Sequence, residues 1–288
     1  MSLAAACSDG HTSSSKSSGT TGFISFSDVA TKGDGTYSAS GLAVTTSYKT
    51  NADGTVTKVN TPVTQDDITA LLTYEGGELT GVTVKTDQGK IILSAANGDV
   101  FDVTTVSGGL LIASADGDKT LLIADPDKQG YEYQTFGTWQ TGLTGTSRRA
   151  GAGSVGARTS ASQMPTTGTA SYYGDSLGQV ITGGDVAVTT SYVAVDTDFD
   201  TVEVYSSNTV TADPTTGATI ATRPDLDFYA EGAVSGSGFS ADIDTGTLTG
   251  ALDGQFYGGN AQEVGGTFSG TTATSTYVGA FGAVDASR

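Results

Sequence analysis

Apolar and polar residues alternate one by one along much of this chain. Gly81-Val82-Thr83-Val84-Lys85-Thr86, Thr201-Val202-Glu203-Val204 and Phe239-Ser240-Ala241-Asp242-Ile243-Asp244 each place apolar side chains on one face and polar ones on the other. A period of two is that of a half-buried antiparallel strand. Turn clusters separate such segments: Lys32-Gly33-Asp34-Gly35, Asn51-Ala52-Asp53-Gly54, Glu75-Gly76-Gly77, Asn97-Gly98-Asp99, Asp116-Gly117-Asp118, Gly183-Gly184-Asp185 and Asp253-Gly254. Gly, Asn and Asp accept the backbone angles of tight hairpin turns, so the spacing predicts hairpins and a meander rather than βαβ units. One segment reads differently. Thr64-Gln65-Asp66-Asp67-Ile68-Thr69-Ala70-Leu71-Leu72 opens on a Thr followed three residues later by an Asp, which predicts a short capped helix. Further loops are expected at Ser147-Arg148-Arg149-Ala150-Gly151 and near Ala212-Asp213-Pro214.

Composition agrees with an all-β chain. Gly supplies 41 of 288 residues without a Gly-X-Y period, which excludes collagen, and charged residues are only 15%. Net charge is −18, with 16 acids against 10 bases in residues 1–150 and 15 against 3 in residues 151–288. Such a surface repels a phosphate backbone and disfavours nucleic-acid binding. The only histidine is His11, in a Ser/Gly-rich leader. That excludes a Ser-His-Asp triad or a histidine zinc centre in the folded part. Paired carboxylates for glycoside hydrolysis remain open, but nothing singles out a pair. The chain is therefore expected not to be an enzyme, and no metal site is assigned.

Cys7 is the only cysteine, so no intrachain disulfide forms. Leu3-Ala4-Ala5-Ala6-Cys7 resembles the end of a bacterial lipoprotein signal, without the charged and apolar regions of a complete signal peptide. Ser8 to Gly22 is nearly free of apolar side chains and is expected to be a flexible tether. No run of apolar residues is long enough for a spanning helix, so membrane contact is expected only through a lipid on Cys7.

Three local patterns imitate known chemistry. Gly151-Ala152-Gly153-Ser154-Val155-Gly156 spells a dinucleotide fingerprint, yet no amphipathic helix follows it. Asp125-Pro126-Asp127-Lys128-Gln129-Gly130 begins like a calcium loop, but its twelfth place is Phe136 instead of Glu. Asp196, Asp198 and Asp200 share a face if extended, more in keeping with a charged strand edge than with a cation site.

The most specific string lies near the end: Gly254-Gln255-Phe256-Tyr257-Gly258-Gly259-Asn260-Ala261-Gln262-Glu263-Val264-Gly265-Gly266-Thr267-Phe268, followed by Gly279-Ala280-Phe281-Gly282-Ala283. It reads as a strand, a turn at Gly258-Gly259-Asn260 and a return strand, with at least one of Phe256 and Phe268 pointing inward. The string resembles the closing motif of the eight-stranded barrel lobe of the transferrin-binding protein B family, with Gly259 where that family usually has Pro. Tyr131-Glu132-Tyr133-Gln134-Thr135-Phe136-Gly137-Thr138-Trp139 and Met164 to Gly174 are similar to that lobe's opening strands. The resemblance implies an all-β protein in three parts: lipobox remnant and tether (1–22), a β-rich handle-like domain (23–130) and an eight-stranded antiparallel barrel (131–288).

It also implies a non-enzymatic lipoprotein on the outer surface of a Gram-negative cell. Such a protein captures an iron-carrier protein, haem or another solute, and a TonB-dependent transporter is the expected partner. An adhesive or structural surface module with no uptake role is the alternative. No cofactor is assigned. Were haem the ligand, a tyrosine such as Tyr172, Tyr173, Tyr229 or Tyr257 would have to serve as the axial ligand. Arg148 and Arg149, the only basic doublet, and Tyr172 and Tyr173 are the candidate ligand-binding residues.

Overall fold

Buried and exposed side chains alternate along most strands, as the sequence pattern requires, and hydrogen bonding gathers the strands into two sheets. The computed structural model describes residues 20–287; Cys7, His11 and most of the expected tether lie outside the described residues.

The first lobe contains β1 (Thr20–Gly22), α1 (Phe26–Lys32), β2 (Gly35–Thr50), β3 (Val56–Val59), β4 (Val63–Glu75), β5 (Glu78–Thr86), β6 (Gly89–Ser94), β7 (Val100–Val103), β8 (Leu110–Ala113), β9 (Lys119–Ile123), α2 (Pro126–Gln129), β10 (Gln134–Thr141) and β11 (Ser147–Gly156). Its eleven-stranded sheet runs β6-β5-β4-β2-β11-β10-β9-β8-β7, with β1 and β3 also paired to β2. The second lobe contains β12 (Ala170–Thr182), β13 (Val186–Thr197), β14 (Thr201–Ala212), β15 (Thr219–Thr222), β16 (Phe228–Ser235), β17 (Gly238–Asp244), β18 (Thr249–Tyr257), β19 (Glu263–Thr271) and β20 (Ser275–Asp285). Its order is β13-β12-β20-β19-β18-β17-β16-β14, and β13 pairs with β14 to close an eight-stranded antiparallel barrel with β15 at the side. The all-β class and the eight-stranded barrel are as the sequence predicts.

Three expectations need correction. Residues 64–72 are not a helix but the body of β4, where Ile68, Ala70 and Leu72 are buried in alternation. Long-range pairing with β2 and β5 overrides a local capping signal. The tether ends earlier than expected, because Thr20–Gly22 pairs in parallel with Thr36–Ser38. The domain boundary expected at 130/131 falls inside the first sheet: β10 pairs with β9, and β11 pairs with β2 along ten residues. The chain therefore leaves the first lobe after Gly156, and the barrel begins with β12.

Each lobe has its own apolar centre. Phe239, Phe256, Phe268, Tyr277 and Phe281 fill the closed barrel, and Tyr37, Ile68, Leu72, Leu121 and Trp139 fill the first lobe. A third apolar cluster joins the lobes, with Tyr48, Leu122, Phe136, Ala150 and Ala152 on one side and Leu177, Ile181, Val278 and Ala280 on the other. Buried polar contacts cross the same face. The Tyr131 hydroxyl donates to the Gly282 carbonyl at 2.7 Å, and the Gln179 amide donates to Thr138 Oγ1 at 2.8 Å and to the Trp139 carbonyl at 2.9 Å.

Candidate ligand-binding site

The motif at 254–268 has a different fate on its two faces. Phe256, Val264 and Phe268 point into the barrel core. Tyr257 and Glu263, paired across the turn, point out of the barrel into the first lobe. The buried Glu263 carboxylate accepts the backbone N–H of Glu132 at 2.7 Å and of Tyr133 at 3.0 Å. Burial pushes the Tyr257 hydroxyl up to about 12, partly offset by Ser154 and Arg158. The turn takes positive φ at Gly258 (85°) and Ala261 (50°), not at Asn260 as the sequence suggested. The Tyr172 hydroxyl donates to the Ala261 carbonyl at 2.6 Å and holds that strained residue in place. The motif is thus a structural joint, leaving no room for a ligand.

The outer wall of the second barrel is different. Tyr173, Tyr192, Tyr205 and Tyr229 are 45%, 43%, 39% and 41% exposed on neighbouring strands β12, β13, β14 and β16. Tyr173 and Tyr192 stack with ring centroids 6.1 Å apart, and Tyr205 and Tyr229 approach to 5.0 Å. Beside them, Asp196, Glu203, Glu231 and Asp242 stand opposite one another in a row across four strands. Like charges in direct cross-strand register oppose folding. Tyr205 and Tyr229 donate to Glu203 and Glu231 at 2.7 and 3.0 Å, and the second of these bonds pushes the Tyr229 hydroxyl up to about 12.

At one end of the first lobe, β2, β3 and β11 enclose a cleft of about 450 Å³ lined by Tyr48, Lys49, Lys58, Asn60, Arg148 and Arg149, with Asp118 at its side. Lys49 stands opposite Lys58, and Arg148 opposite Tyr48. Arg148 Nε donates to the Gly145 carbonyl at 3.0 Å, and Arg149 Nη1 donates to the Gln88 carbonyl. The buried Tyr48 hydroxyl finds no acceptor or donor at hydrogen-bonding geometry. Burial pushes it up, partly offset by the neighbouring Arg148 guanidinium. Asp118 is engaged by the N–H of Gly142 at 3.3 Å and the Thr144 hydroxyl at 2.7 Å, and chiefly the Thr144 bond holds its carboxyl below the usual range. A second, more apolar cleft of about 530 Å³ opens between α1, β5 and β7, with Phe26, Tyr74, Leu79 and Phe101 in its walls.

Comparison with known proteins bears on the second lobe. Residues 164–285 match the family model described as the C-lobe and N-lobe beta barrels of Tf-binding protein B. The match makes the C-terminal barrel similar to the barrels of transferrin-binding protein B. A solved transferrin-binding protein B from Haemophilus parasuis Hp5, a tryptophan-to-alanine mutant, has 17% identity, a TM-score of 0.46, and coverage of 80% of this chain and 48% of its own. That of serogroup B Neisseria meningitidis has 14% identity, a TM-score of 0.44, and coverage of 77% and 52%. The N-lobe domain of lactoferrin binding protein B from Moraxella bovis has 15% identity, a TM-score of 0.37, and coverage of 57% and 79%. This chain spans about half the length of the first two. No curated protein matches it. The family is one of ligand-binding proteins, not enzymes.

Within the C-terminal barrel, the tyrosines named from sequence do not converge. Tyr172 and Tyr257 are fully buried with their hydroxyls bonded inside, whereas Tyr173 and Tyr229 stand on the open outer wall. Tyr172 is therefore corrected from candidate contact to core residue. Arg148 and Arg149 do lie on a concave surface, but in the first lobe, not in the barrel. The dinucleotide-like glycines lie inside β11, where a Cβ on Gly151 would come within 2.5 Å of the Trp139 indole. Gly151 and Gly153 make room for that ring, and Gly156 for the backbone of Tyr133 and the Tyr257 ring. Asp125 caps α2, and Asp198 accepts from the N–H groups of Asp200 and Thr201 in the β13–β14 turn. The Lys49–Lys58 pair and the tyrosine wall were missed from sequence, because both depend on strand register.

Proposed function

We propose that this protein is a lipid-anchored surface protein that captures a ligand outside a Gram-negative cell for nutrient uptake. The ligand is an iron-carrier protein, with haem or another solute as the lesser readings, and a TonB-dependent transporter receives it. The observation that carries the proposal is the match of residues 164–285 to the barrels of transferrin-binding protein B. The tyrosine wall supports a protein ligand, since exposed Tyr offers large, rigid contact area with a polar tip. The adjoining carboxylates favour a basic surface on that partner. Cys7 supplies the anchor once acylated.

The test is biolayer interferometry with the full chain immobilised through Cys7 and iron-loaded transferrin as analyte, with a parallel haem titration read at the Soret band. Saturable transferrin binding, weakened by Tyr205→Ala with Tyr229→Ala, is expected. A Soret shift without protein binding moves the reading to haem. Silence in both leaves the adhesive alternative in possession. For the anchor, Cys7→Ser expressed behind an intact secretion signal is expected to leave the membrane fraction.

A further inference from the structure

The cleft of the first lobe has a charge environment unlike the rest of the molecule. Of the 13 Lys and Arg residues, 11 lie within the described residues. Five of these, Lys32, Lys119, Lys128, Arg158 and Arg223, are ion-paired with nearby carboxylates. The other six, Lys49, Lys58, Lys85, Lys90, Arg148 and Arg149, take part in no ion pair among the described residues. All six gather at one end of one lobe. Lys49, Lys58, Arg148 and Arg149 line the cleft, and the Arg149–Gln88 bond brings up the β5–β6 hairpin, on which Lys85 faces Lys90.

Two like-charged pairs thus stand in direct register, on a chain whose 31 acids could have neutralised them. Each such pair opposes folding unless an anion lies between or beside the cations. The remaining lining is suited to an oxyanion. Ser47, Thr141 and Ser147 bring hydroxyls, Asn60 an amide, and the Tyr48 hydroxyl lies beside the Arg148 guanidinium. The one lining carboxylate, Asp118, is engaged by Gly142 and Thr144; Asp185 also lies near Tyr48. Two guanidiniums and two ammoniums in about 450 Å³ suit a multiply charged group on a small polar body better than a single carboxylate.

We propose that the β2–β3–β11 cleft is a binding site for a phosphate-bearing ligand, with Lys49, Lys58, Arg148 and Arg149 as its cationic contacts and the Tyr48 hydroxyl as a further donor. The site is separate from the barrel on which the proposed function rests, so either can fail without the other.

The test is isothermal titration of the full chain with glucose 6-phosphate, alongside co-sedimentation with phosphatidylglycerol vesicles. Saturable binding to the sugar phosphate assigns the site to a soluble phosphomonoester. Binding to vesicles alone assigns it to a lipid headgroup. In either arm Lys49→Ala with Lys58→Ala is expected to weaken binding at least about tenfold, since each substitution removes a charged hydrogen-bond donor. These side chains are exposed, so the double variant is expected to keep its fold. Tyr48→Phe is expected to weaken binding without loss of the β-type dichroism. Lys32→Ala with Lys128→Ala, away from the cleft, serves as the charge-matched control and is expected to bind as the parent does. Absence of binding in both arms, or equal binding by the Lys49/Lys58 variant and the parent, overturns the proposal.

Discussion

The hydroxyl of Tyr257 donates to the carbonyl oxygen of Ser154 at 3.1 Å, joining two buried residues 103 positions apart. Ser154 belongs to β11 of the first lobe and Tyr257 to β18 of the barrel. With Glu263 gripping the backbone of Glu132 and Tyr133, the flanks of one barrel turn clasp the neighbouring lobe.

This clasp is expected to contribute measurably to stability. Tyr257→Phe should cost about 1 kcal/mol, the net value of a buried hydrogen bond. Glu263→Ala should cost more, about 1–3 kcal/mol for each backbone N–H left without its acceptor. Urea titration followed by dichroism checks both. If Glu263→Ala matches the parent, the clasp is incidental.

The inward half of the same motif is a packing element. Phe256→Ala should lose about 3–5 kcal/mol, as for other large core truncations. Gly266→Val should also lower the melting temperature, because a Cβ there would come within 2.3 Å of the Asp253 carbonyl and 2.7 Å of the Phe281 ring. Arg148→Ala with Arg149→Ala should leave the melting temperature nearly unchanged.

Asp175 gives a pH dependence with a defined sign. Burial raises its carboxyl above the ordinary value, partly offset by a hydrogen bond from Gln129. A raised acid is stabilising below its unfolded pKa, and that contribution is lost as pH rises through the folded value. At neutral pH the charged form therefore opposes folding. Asp175→Asn should raise the melting temperature at pH 7, and the gain should vanish below about pH 4, where both forms are neutral. A gain that persists unchanged in acid would contradict this origin.

Lys58→Glu should turn a like-charged cross-strand pair with Lys49 into an opposite one. A gain of about 0.2–1 kcal/mol is expected, shrinking as salt is added. The same substitution should abolish binding of glucose 6-phosphate, so stability and binding move in opposite directions. Parallel melts and titrations read the two effects.

A fragment beginning at Tyr131 should not behave as an independent domain. It would keep β10 and β11 but lose β2 and β9, leaving Trp139 and Val155 without the packing partners of the first lobe. Light scattering and binding of a hydrophobic dye should report aggregation. A monomeric fragment with a cooperative melt would restore the boundary at 130/131.

Much of the fold was legible because alternation and turn residues are local. The closing motif identified the barrel, since Phe256 and Phe268 must be large and Gly266 must be small. The reading failed where distant partners decide. Thr64 to Leu72 carries a genuine cap signal, but β2 and β5 offer Ile68, Ala70 and Leu72 a buried face. Tyr131 to Trp139 resembles a barrel opening, yet it pairs with the earlier lobe and presents only its back to the barrel. The candidate site was half legible. Arg148 and Arg149 stand out in an acidic chain, whereas Lys49 and Lys58 become neighbours only through the β2–β3 register.

The last strand, β20, lies between β12 and β19, and its Val278 and Ala280 complete the apolar contact between the lobes. A chain emerging N-terminus first, from the ribosome or through a secretion channel, therefore cannot finish either the barrel or the seam until Ser275–Asp285 is free. Until then Leu122, Phe136, Ala150 and Ala152 face water on an otherwise assembled first lobe. Loss of Ser275–Asp285 is therefore expected to yield an aggregation-prone product rather than a smaller working protein.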